Sequence, residues 1–501
     1  MAQRIDVNDL NIILDSLLNK PNSMISHHID SANTFYSQGI LQIMSKGFKI
    51  YIEVNNDRNE TEEERNTIKY SINIDIISIK LTPPETLNYD TLKYQLLTPN
   101  EACIKDLTYS SPMYVDAVIT ATSFHNNGST TVKTANVDNY KIAKIPVMVK
   151  SKLCNLYNKS KETLIQLKED PNDIGGYFVI RGNEYIIDSL ESMTFNAPRE
   201  FRNIGHKTEL TRGDLISKAG DYFENSTNII SRLLKNNLLT FEISNNKFKE
   251  IQIPFYLLFR AFGLTSDLDV MEHIMYSLDV TNPKIELMSD ILRQAFEAKY
   301  NLFDARHTYN QNDVLDIIGG FINSQYAKSD NTKRYTVDVV LQILDKDVLP
   351  HIGLTSECRY RKIRYLGYLL NRVLLTYLEI IPSTDRDSYK NKRISSAGIS
   401  YAKVFKTQFN FAVVNPLKKA FLIAFKNYNF NHIDLVSVFN SAINGSDFER
   451  ALIQAITTGD KMISIKRTKV PNRLSSQQLH RKNQINVYST LRNVNTSNTS
   501  S

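Results

Sequence analysis

The charged residues near the end of the chain are the group whose types and spacing predict chemistry most clearly. From residue 461 to residue 501 there are eight cations and no acid, a formal charge of +8. Because the whole chain carries +7, the residues before this segment sum to −1. The cations of this basic segment (461–501) are Lys461, Lys466, Arg467, Lys469, Arg473, Arg481, Lys482 and Arg492.

Globular surfaces normally mix both signs of charge, and a segment of one sign attracts an anionic polymer. The pattern therefore favours a nucleic-acid contact surface. The alternative is a disordered tail whose charges serve only to keep it soluble, and composition alone is compatible with that tail as well. Arg492 lies in STLRNVN and is the best single candidate for an ordered contact.

Catalytic motifs are absent from the sequence. There is no P-loop, no HExxH pair, no nucleophile elbow and no dense aspartate triad of the kind that holds two magnesium ions. The adjacent His27 and His28 point in different directions on a helix, so they predict surface or capping positions rather than a metal site. We therefore expect neither catalytic nor metal-binding residues in this chain.

Cysteine usage and composition describe an intracellular protein. Cys103, Cys154 and Cys358 are odd in number and widely spaced, which excludes a disulfide framework and predicts buried, reduced thiols. Hydrophobic residues make up 42% of the chain and charged residues 23%, as in soluble globular proteins. No run approaches the ~18 apolar residues of a membrane helix, so no membrane association is expected.

The elements that would position these residues alternate between two types, which predicts a mixed α+β, multidomain fold. The length of 501 residues corresponds to about three domains. Apolar spacing predicts helices over 5–18 and 26–44, and strands over 48–54, 68–80, 114–120, 141–150, 177–180 and 184–187.

The second half of the sequence has a different pattern. Helical periodicity dominates from about residue 228 to about residue 380 and resumes from about 394 to 456. The polar run STDRDSYKNKR (383–393) interrupts it and predicts a crossing between domains. From Thr457 onward the periodicity is lost.

About a dozen segments, in the same order along the chain, resemble one protein family. They include HHIDSANTFYSQGI (27–40), EACIKDLTYSSPMYVD (101–116), LKEDPNDIGGYFVIRGNEYII (167–187), IPFYLLFRAFG (253–263), LGYLLNRVLL (366–375) and DRDSYKNKRISSAG (385–398). The chain thereby resembles the N-terminal half of the second-largest, beta-like subunit of multisubunit DNA-directed RNA polymerases. The sequences of these segments are of the eukaryotic, archaeal or large-DNA-virus type, and the richness of the chain in Ile, Asn and Lys favours a virus.

This resemblance implies a domain layout. The protrusion would comprise 1–195 and 386–445, the lobe 196–385, and an incomplete fork 446–501. Two positions depart from the family pattern, since Ala32 replaces a phenylalanine and Tyr185 replaces a lysine. The end of the chain inside the fork leaves two expectations open: a subunit split between genes, or part of a longer chain.

The resemblance also implies a function. The chain would be a noncatalytic component of a nucleotidyltransferase and would form one side of the DNA cleft in transcription. Its expected partners are the C-terminal half of the second-largest subunit, the largest subunit, other polymerase subunits and the DNA template. It would hold no cofactor itself, because the largest subunit holds the catalytic Mg²⁺. Its expected location is the nucleus or, for a virus, the host cytoplasm or virion.

Two other functions remain open on sequence grounds. One is a purely structural assembly chain without direct DNA contact, and the other is a standalone DNA-binding derivative of the polymerase. The basic segment distinguishes the DNA-contacting subunit from the assembly chain, because assembly gives no reason to concentrate eight cations without an acid.

Overall fold

The chain divides into two compact units in the computed structural model. Unit 1 comprises Met1–Ser192 and Ile394–Ser501, and unit 2 comprises Met193–Arg393. The sequence placed the corresponding boundaries at 195/196 and 385/386, and the assignment of the units to protrusion and lobe stays a prediction. The structure describes residues 11, 12, 16, 23–45, 48–55, 67–88, 92–124, 130–203, 208–220, 226–244, 251–276, 283–300, 310–326, 337–427, 430–458 and 474–496.

The first part of unit 1 is rich in β-structure. Its elements are α1 (Ser26–Thr34), α2 (Ile40–Met44), β1 (Phe48–Asn55), β2 (Thr67–Leu81), β3 (Glu85–Asn88), β4 (Lys93–Leu96), α3 (Pro99–Ile104), β5 (Ser110–Phe124), β6 (Thr130–Pro146), α4 (Lys161–Gln166), β7 (Phe178–Ile180), β8 (Asn183–Ile187) and β9 (Ser189–Met193). A π-helical stretch, Phe35–Gly39, joins α1 to α2. The predicted helix over 26–44 and the predicted strands up to residue 187 are confirmed, except that the strand predicted over 141–150 ends at Pro146. Most of 5–18 lies outside the described residues.

A four-stranded antiparallel sheet with the order β1-β2-β5-β6 forms the larger β-layer of unit 1. Alternate residues of β2, Ile72, Ile74 and Ile76, are buried, as expected for a strand with one face toward the core. Ile72 pairs with Ala121 and Ile74 pairs with Ile119 on β5, and these partners are buried too. The register therefore collects the apolar side chains of both strands on one face.

The second part of unit 1 is mainly helical. Its elements are β15 (Lys392–Ser395), α11 (Ala397–Phe409), α12 (Asn415–Asn427), α13 (Leu435–Ala442), α14 (Gly445–Thr458), β16 (Ser476–Gln478), α15 (Gln484–Leu491) and β17 (Val494–Thr496). The fully buried Phe35 packs edge-on against Tyr401 and Phe405 of α11, with ring centroids 5.1 Å and 5.5 Å away. Aromatic side chains from the two parts of unit 1 thus share one core.

Unit 2 combines a sheet with a helical cluster. Its elements are β10 (Arg199–Arg202), β11 (Glu209–Lys218), β12 (Ser226–Leu234), β13 (Leu239–Ser244), β14 (Ile251–Pro254), α5 (Phe255–Ala261), α6 (Asp267–Met275), α7 (Pro283–Tyr300), α8 (Gln311–Tyr326), α9 (Val337–Asp347) and α10 (Arg359–Tyr377). The five strands form an antiparallel meander in sequence order. Helix α10 packs against both α6 and β11.

The predicted start of helical structure at about residue 228 is wrong. Residues 226–254 contain three strands of the unit 2 sheet. Thr227, Ile229, Ser231 and Leu233 are buried and alternate with more accessible residues along β12, which is the two-residue period of a strand. Polar residues at two of these buried positions weakened the apolar signal, whereas the helices begin at residue 255.

No helix in the described ranges is long and apolar enough to cross a membrane.

The close contact between helices α10 and α6, made at a glycine, provides the first prediction. Gly367 lies on α10, and a Cβ atom there would overlap the backbone carbonyl of His273 on α6. We expect Gly367→Ala to lower the free energy of unfolding of unit 2 by about 1–3 kcal/mol, because the overlap forces the helices apart. Thermal or urea denaturation of the purified chain measures this effect.

Gly320 provides the matched control in the same unit. It is also helical, and a Cβ atom there would meet no atom within 4 Å. Gly320→Ala should stabilise the unit by about 0.5–1 kcal/mol, since alanine is the better helix former. Equal effects of the two substitutions would contradict the close packing of α10 on α6.

Candidate nucleic-acid interface

Only part of the predicted site falls within the described residues. Lys461, Lys466, Arg467, Lys469 and Arg473 lie outside them, and Arg481, Lys482 and Arg492 lie inside. The structure therefore describes the second half of the basic segment, and these three cations differ in their surroundings.

Residues 474–496, called the docked segment below, are held against the body of unit 1 by two strand pairings. Strand β16 pairs antiparallel with β8, with Ser476 opposite Ile187. Strand β17 pairs parallel with β9, with Val494 opposite Ser189. The prediction that periodic structure ends at residue 457 is wrong here, because two short strands and the helix α15 follow.

The buried carboxylate of Asp188 lies between the two pairings. It accepts hydrogen bonds from Ser475 Oγ at 2.8 Å, Gln477 Nε2 at 2.9 Å and Asn495 Nδ2 at 2.8 Å. Burial raises the pKa of Asp188, whereas these three hydrogen bonds lower it. A carboxylate with three donors satisfies the polar groups at both ends of the docked segment, so each strand is fixed by side chains as well as by backbone.

Arg481 binds the body of its own unit. Its Nε lies 2.6 Å from Glu184 Oε2 and its Nη2 lies 3.0 Å from Asp173 Oδ1. The guanidinium also lies over the ring of Tyr177, 4.9 Å from the centroid. Two carboxylates and one aromatic ring therefore already contact Arg481, which the sequence predicted to contact nucleic acid.

Lys482 and Arg492 are exposed, as Arg481 is, but their surroundings differ from those of Arg481. The side chain of Lys482 makes neither a hydrogen bond nor an ion pair with any described residue. Arg492, just after α15, donates hydrogen bonds from Nη1 to the carbonyl oxygen of Met24 at 3.2 Å and to its Sδ at 3.4 Å, and it has no carboxylate partner among the described residues. Burial lowers the pKa of His27, and the positive charge of Arg492 lowers it further. These two cations remain available to an external anion.

His28 fixes the other end of the docked segment. Its Nδ1 accepts a hydrogen bond from the Ala397 N–H at 3.2 Å, so its Nε2 carries the proton and donates to the carbonyl oxygen of Leu491 at 2.8 Å. The predicted surface position is confirmed for His27, which is exposed, and is wrong for His28, which is only 1% exposed. The two hydrogen bonds of His28 do cap helices, since Ala397 begins α11 and Leu491 ends α15. Burial, with the neighbouring His27, lowers the pKa of His28 to about 4 and keeps the ring neutral.

Metal-binding and thiol chemistry find little support in the described part of the chain. No three His, Cys, Asp or Glu side chains come close enough there to hold a metal ion. All three cysteines are free; Cys154 is buried as predicted, but Cys103 and Cys358 are partly accessible. Burial and nearby carboxylates raise the pKa of Cys103 to about 11, which disfavours the reactive thiolate.

Comparison with known proteins identifies the family. The sequence profile described as RNA polymerase beta subunit matches residues 23–422. The chain belongs to this family. The match includes α1 and all of unit 2 but ends before the docked segment, so the pairings around Asp188 join residues inside the match to residues outside it.

Named relatives of the family are subunits of cellular polymerases. DNA-directed RNA polymerase II subunit 2 of Arabidopsis thaliana is 28% identical over 77% of this chain and 32% of its own length. RNA polymerase II subunit RPB2 of Encephalitozoon cuniculi is 30% identical over 62% of this chain and 25% of its own. Subunit Rpo2 of Saccharolobus solfataricus is 26% identical over 82% and 32%. The chain spans about a quarter to a third of the length of these relatives.

Sequence inspection missed the residues that anchor the docked segment. Asp173, Glu184 and Asp188 lie in or beside the segment that carried the family resemblance, but their partners are about 300 residues away in the sequence. The available signal was a surplus of acids in 169–188 facing an acid-free segment elsewhere in the chain. Charge complementarity of this kind indicates a pairing without saying which residues meet.

The ion pairs of Arg481 lead to a prediction about docking. Arg481→Ala leaves Glu184 and Asp173 without their cation, so we expect it to destabilise the docked segment by about 1–3 kcal/mol. Hydrogen exchange at the amides of β16 should accelerate accordingly. Lys482→Ala is the matched control and should leave exchange unchanged, because that side chain has no partner among the described residues; equal exchange in both variants would contradict the anchoring role of Arg481.

The neutral state of His28 leads to a prediction about pH. Its folded-state pKa of about 4 lies below the unfolded value of 6.5, so the unfolded chain binds more protons between these values. The contribution of His28 to stability is therefore complete above pH 6.5 and is lost as the pH falls toward 4. Between pH 6.5 and pH 5 the loss should reach about 2 kcal/mol.

Urea denaturation at both pH values tests this linkage. His28→Gln serves as the control, because glutamine does not titrate and the acid-dependent loss should shrink by that amount. Asp188 acts in the opposite direction, since its raised pKa adds stability as the pH falls, and it is the same in both proteins. An identical pH dependence of wild type and variant would show that His28 is not held neutral.

Proposed function

We propose that this chain is the noncatalytic N-terminal part of the second-largest subunit of a DNA-dependent RNA polymerase and forms one side of its DNA cleft. The family match over 23–422 carries the proposal, supported by relatives that are named as polymerase subunits. In this assignment unit 1 provides the protrusion and the start of the fork, and unit 2 provides the lobe.

The polymerase in which the chain works is an enzyme, but the described residues contain no group that fits a catalytic metal site. The residues present do not suit Mg²⁺, so no catalytic step is assigned to them. We propose that the largest subunit holds the metal, and that this chain assembles with it, with the remainder of the second-largest subunit and with other polymerase subunits.

The geometry of the docked segment divides the predicted DNA contacts into two roles. Arg481 is a positioning residue, because its guanidinium is already engaged by Glu184 and Asp173. Lys482 and Arg492 are exposed and lack carboxylate partners among the described residues, so they are proposed to contact phosphates. The five remaining cations of the basic segment stay candidates for the same role.

Salt dependence provides the test of DNA contact. Substituting Lys482→Ala and Arg492→Ala in the assembled polymerase should weaken its complex with duplex DNA. If each cation neutralises one phosphate, the slope of log K against log salt should become less steep by about 1.8, since each contact adds roughly 0.9. The equilibrium binding constant measured at several salt concentrations gives this slope.

An equal change of charge elsewhere in unit 1 controls for net charge. Lys159 and Lys161 are exposed, so Lys159→Ala with Lys161→Ala removes the same charge outside the basic segment. This control should leave the slope unchanged. If the Lys482 and Arg492 variant also binds with the slope of the unmodified polymerase, the chain is an assembly component without DNA contact at this segment.

A further inference from the structure

A second stretch of the chain without acids forms a continuous helical rod in unit 1. Helix α11, the π-helical stretch Asn410–Val414 and helix α12 follow one another without a break. From residue 397 to residue 427 the sequence contains five lysines and neither aspartate nor glutamate, a formal charge of +5. These lysines are Lys403, Lys406, Lys418, Lys419 and Lys426. The rod therefore concentrates positive charge at a place outside the basic segment.

One face of α12 is fixed in the core of unit 1. The buried side chains on this face are Leu417, Phe421, Ala424 and Phe425. The ring centroid of Phe425 lies 4.8 Å from that of Tyr70 on β2 and 6.0 Å from that of Phe430. Because these aromatic contacts hold the helix, its opposite face is presented in a fixed position.

That opposite face, called the lysine face below, combines cations with apolar side chains. Its members are exposed and lie three or four positions apart in neighbouring rows, as residues on one helix face do: Lys418, Lys419, Leu422, Ile423 and Lys426. Leu422 is 39% exposed and Ile423 is 56% exposed. The three lysines make neither a hydrogen bond nor an ion pair with any described residue. Two apolar side chains thus lie among cations that have no internal partner in the described part of the chain.

This combination distinguishes between the partners that positive charge attracts. A sugar–phosphate backbone would satisfy the lysines, but it has no apolar side chains for Leu422 and Ile423, and aliphatic groups offer no ring on which bases stack. A membrane surface requires a broad apolar helix face, and that face of α12 is already buried in unit 1. A second copy of the chain, related by two-fold symmetry, would bring lysines against lysines.

We propose that the lysine face binds an acidic amphipathic helix of a partner protein, with its carboxylates paired to the three lysines and its apolar side chains packed on Leu422 and Ile423. Such a helix complements both the sign of the charge and the apolar strip. The surface goes beyond the proposed function, since it involves neither the basic segment nor a contact with DNA.

Binding of a synthetic acidic helix by the full chain tests the proposal. The probe is a fluorescein-labelled peptide of about 15 residues, the length at which an isolated helix becomes marginally stable, with leucines at helical spacing and glutamates elsewhere. Leu422→Ser with Ile423→Ser should weaken binding roughly tenfold or more at every salt concentration, because the apolar contact is lost. Lys418→Gln with Lys419→Gln should weaken binding mainly at low salt, since salt screens exposed charges. Fluorescence anisotropy measures both effects.

Exposed positions elsewhere in unit 1 provide matched controls. Ile104 is 74% exposed and Ile165 is 62% exposed, so Ile104→Ser with Ile165→Ser removes the same number of apolar side chains outside the lysine face. Lys159→Gln with Lys161→Gln removes the same charge. Both controls should bind the peptide like the unmodified chain, and urea denaturation verifies that every variant is folded.

The assay separates this proposal from the proposed function. It uses the free chain and a peptide, whereas the DNA contact is tested on the assembled polymerase with duplex DNA, so either proposal can fail alone. The basic segment is unchanged in every variant and contributes equally to all measurements.

Four results would overturn the proposal. In the first, both double variants of the lysine face bind the peptide like the unmodified chain. In the second, a peptide with serines in place of its leucines binds equally well, so the apolar strip is unused. In the third, an oligothymidine displaces the peptide and depends on the lysines but not on Leu422 and Ile423, which assigns the face to nucleic acid. In the fourth, the chain dimerises through Leu422 and Ile423, which assigns it to a second copy.

Discussion

Unit 1 depends on the side chains of α1, which bind the backbone of segments that are distant in the sequence. The chain leaves this unit at residue 192 and returns at 394, so something must join its two parts. His28 binds Ala397 and Leu491, and Ser31 Oγ accepts a hydrogen bond from the Gly398 N–H at 3.0 Å. The absence of a Cβ atom at Gly398 allows α11 to approach Ser31 this closely. Asn33 of α1 and Tyr36 of the π-helical stretch that follows it bind the backbone at 152 and 146 in the same way.

This arrangement explains why the docked segment, which lies outside the family match, has a defined position. The carbonyl of Leu491 binds His28, Asp188 holds both short strands, and Arg481 pairs with Glu184. An electrostatic guide for DNA is more effective when its cations are presented at fixed points than when they must be ordered on binding, because ordering costs conformational entropy. The ion pairs of Arg481 thus help to fix the segment that also carries Lys482 and Arg492, the two cations proposed to contact phosphates.

Local patterns predicted what depends on local physics. The helix over 26–44 and the strands of β2 and β5 follow from apolar spacing alone, and the resemblance identified the family. The strand β12 was missed because buried Thr227 and Ser231 conceal its period. The burial of His28 and the pairing of Arg481 could not be predicted, since both depend on partners hundreds of residues away. The sequence also assigned the same predicted role to Arg481 and Lys482, because only their surroundings in the folded chain distinguish them.

The central claim is that the docked segment presents Lys482 and Arg492 to the DNA of an assembled polymerase. Site-specific photo-cross-linking tests it most directly, with a photoreactive residue placed in turn at positions 482, 492 and 159 of this chain. The account predicts covalent attachment of DNA at 482 and 492 and none at 159. Cross-links from 482 and 492 to other protein subunits alone would contradict it.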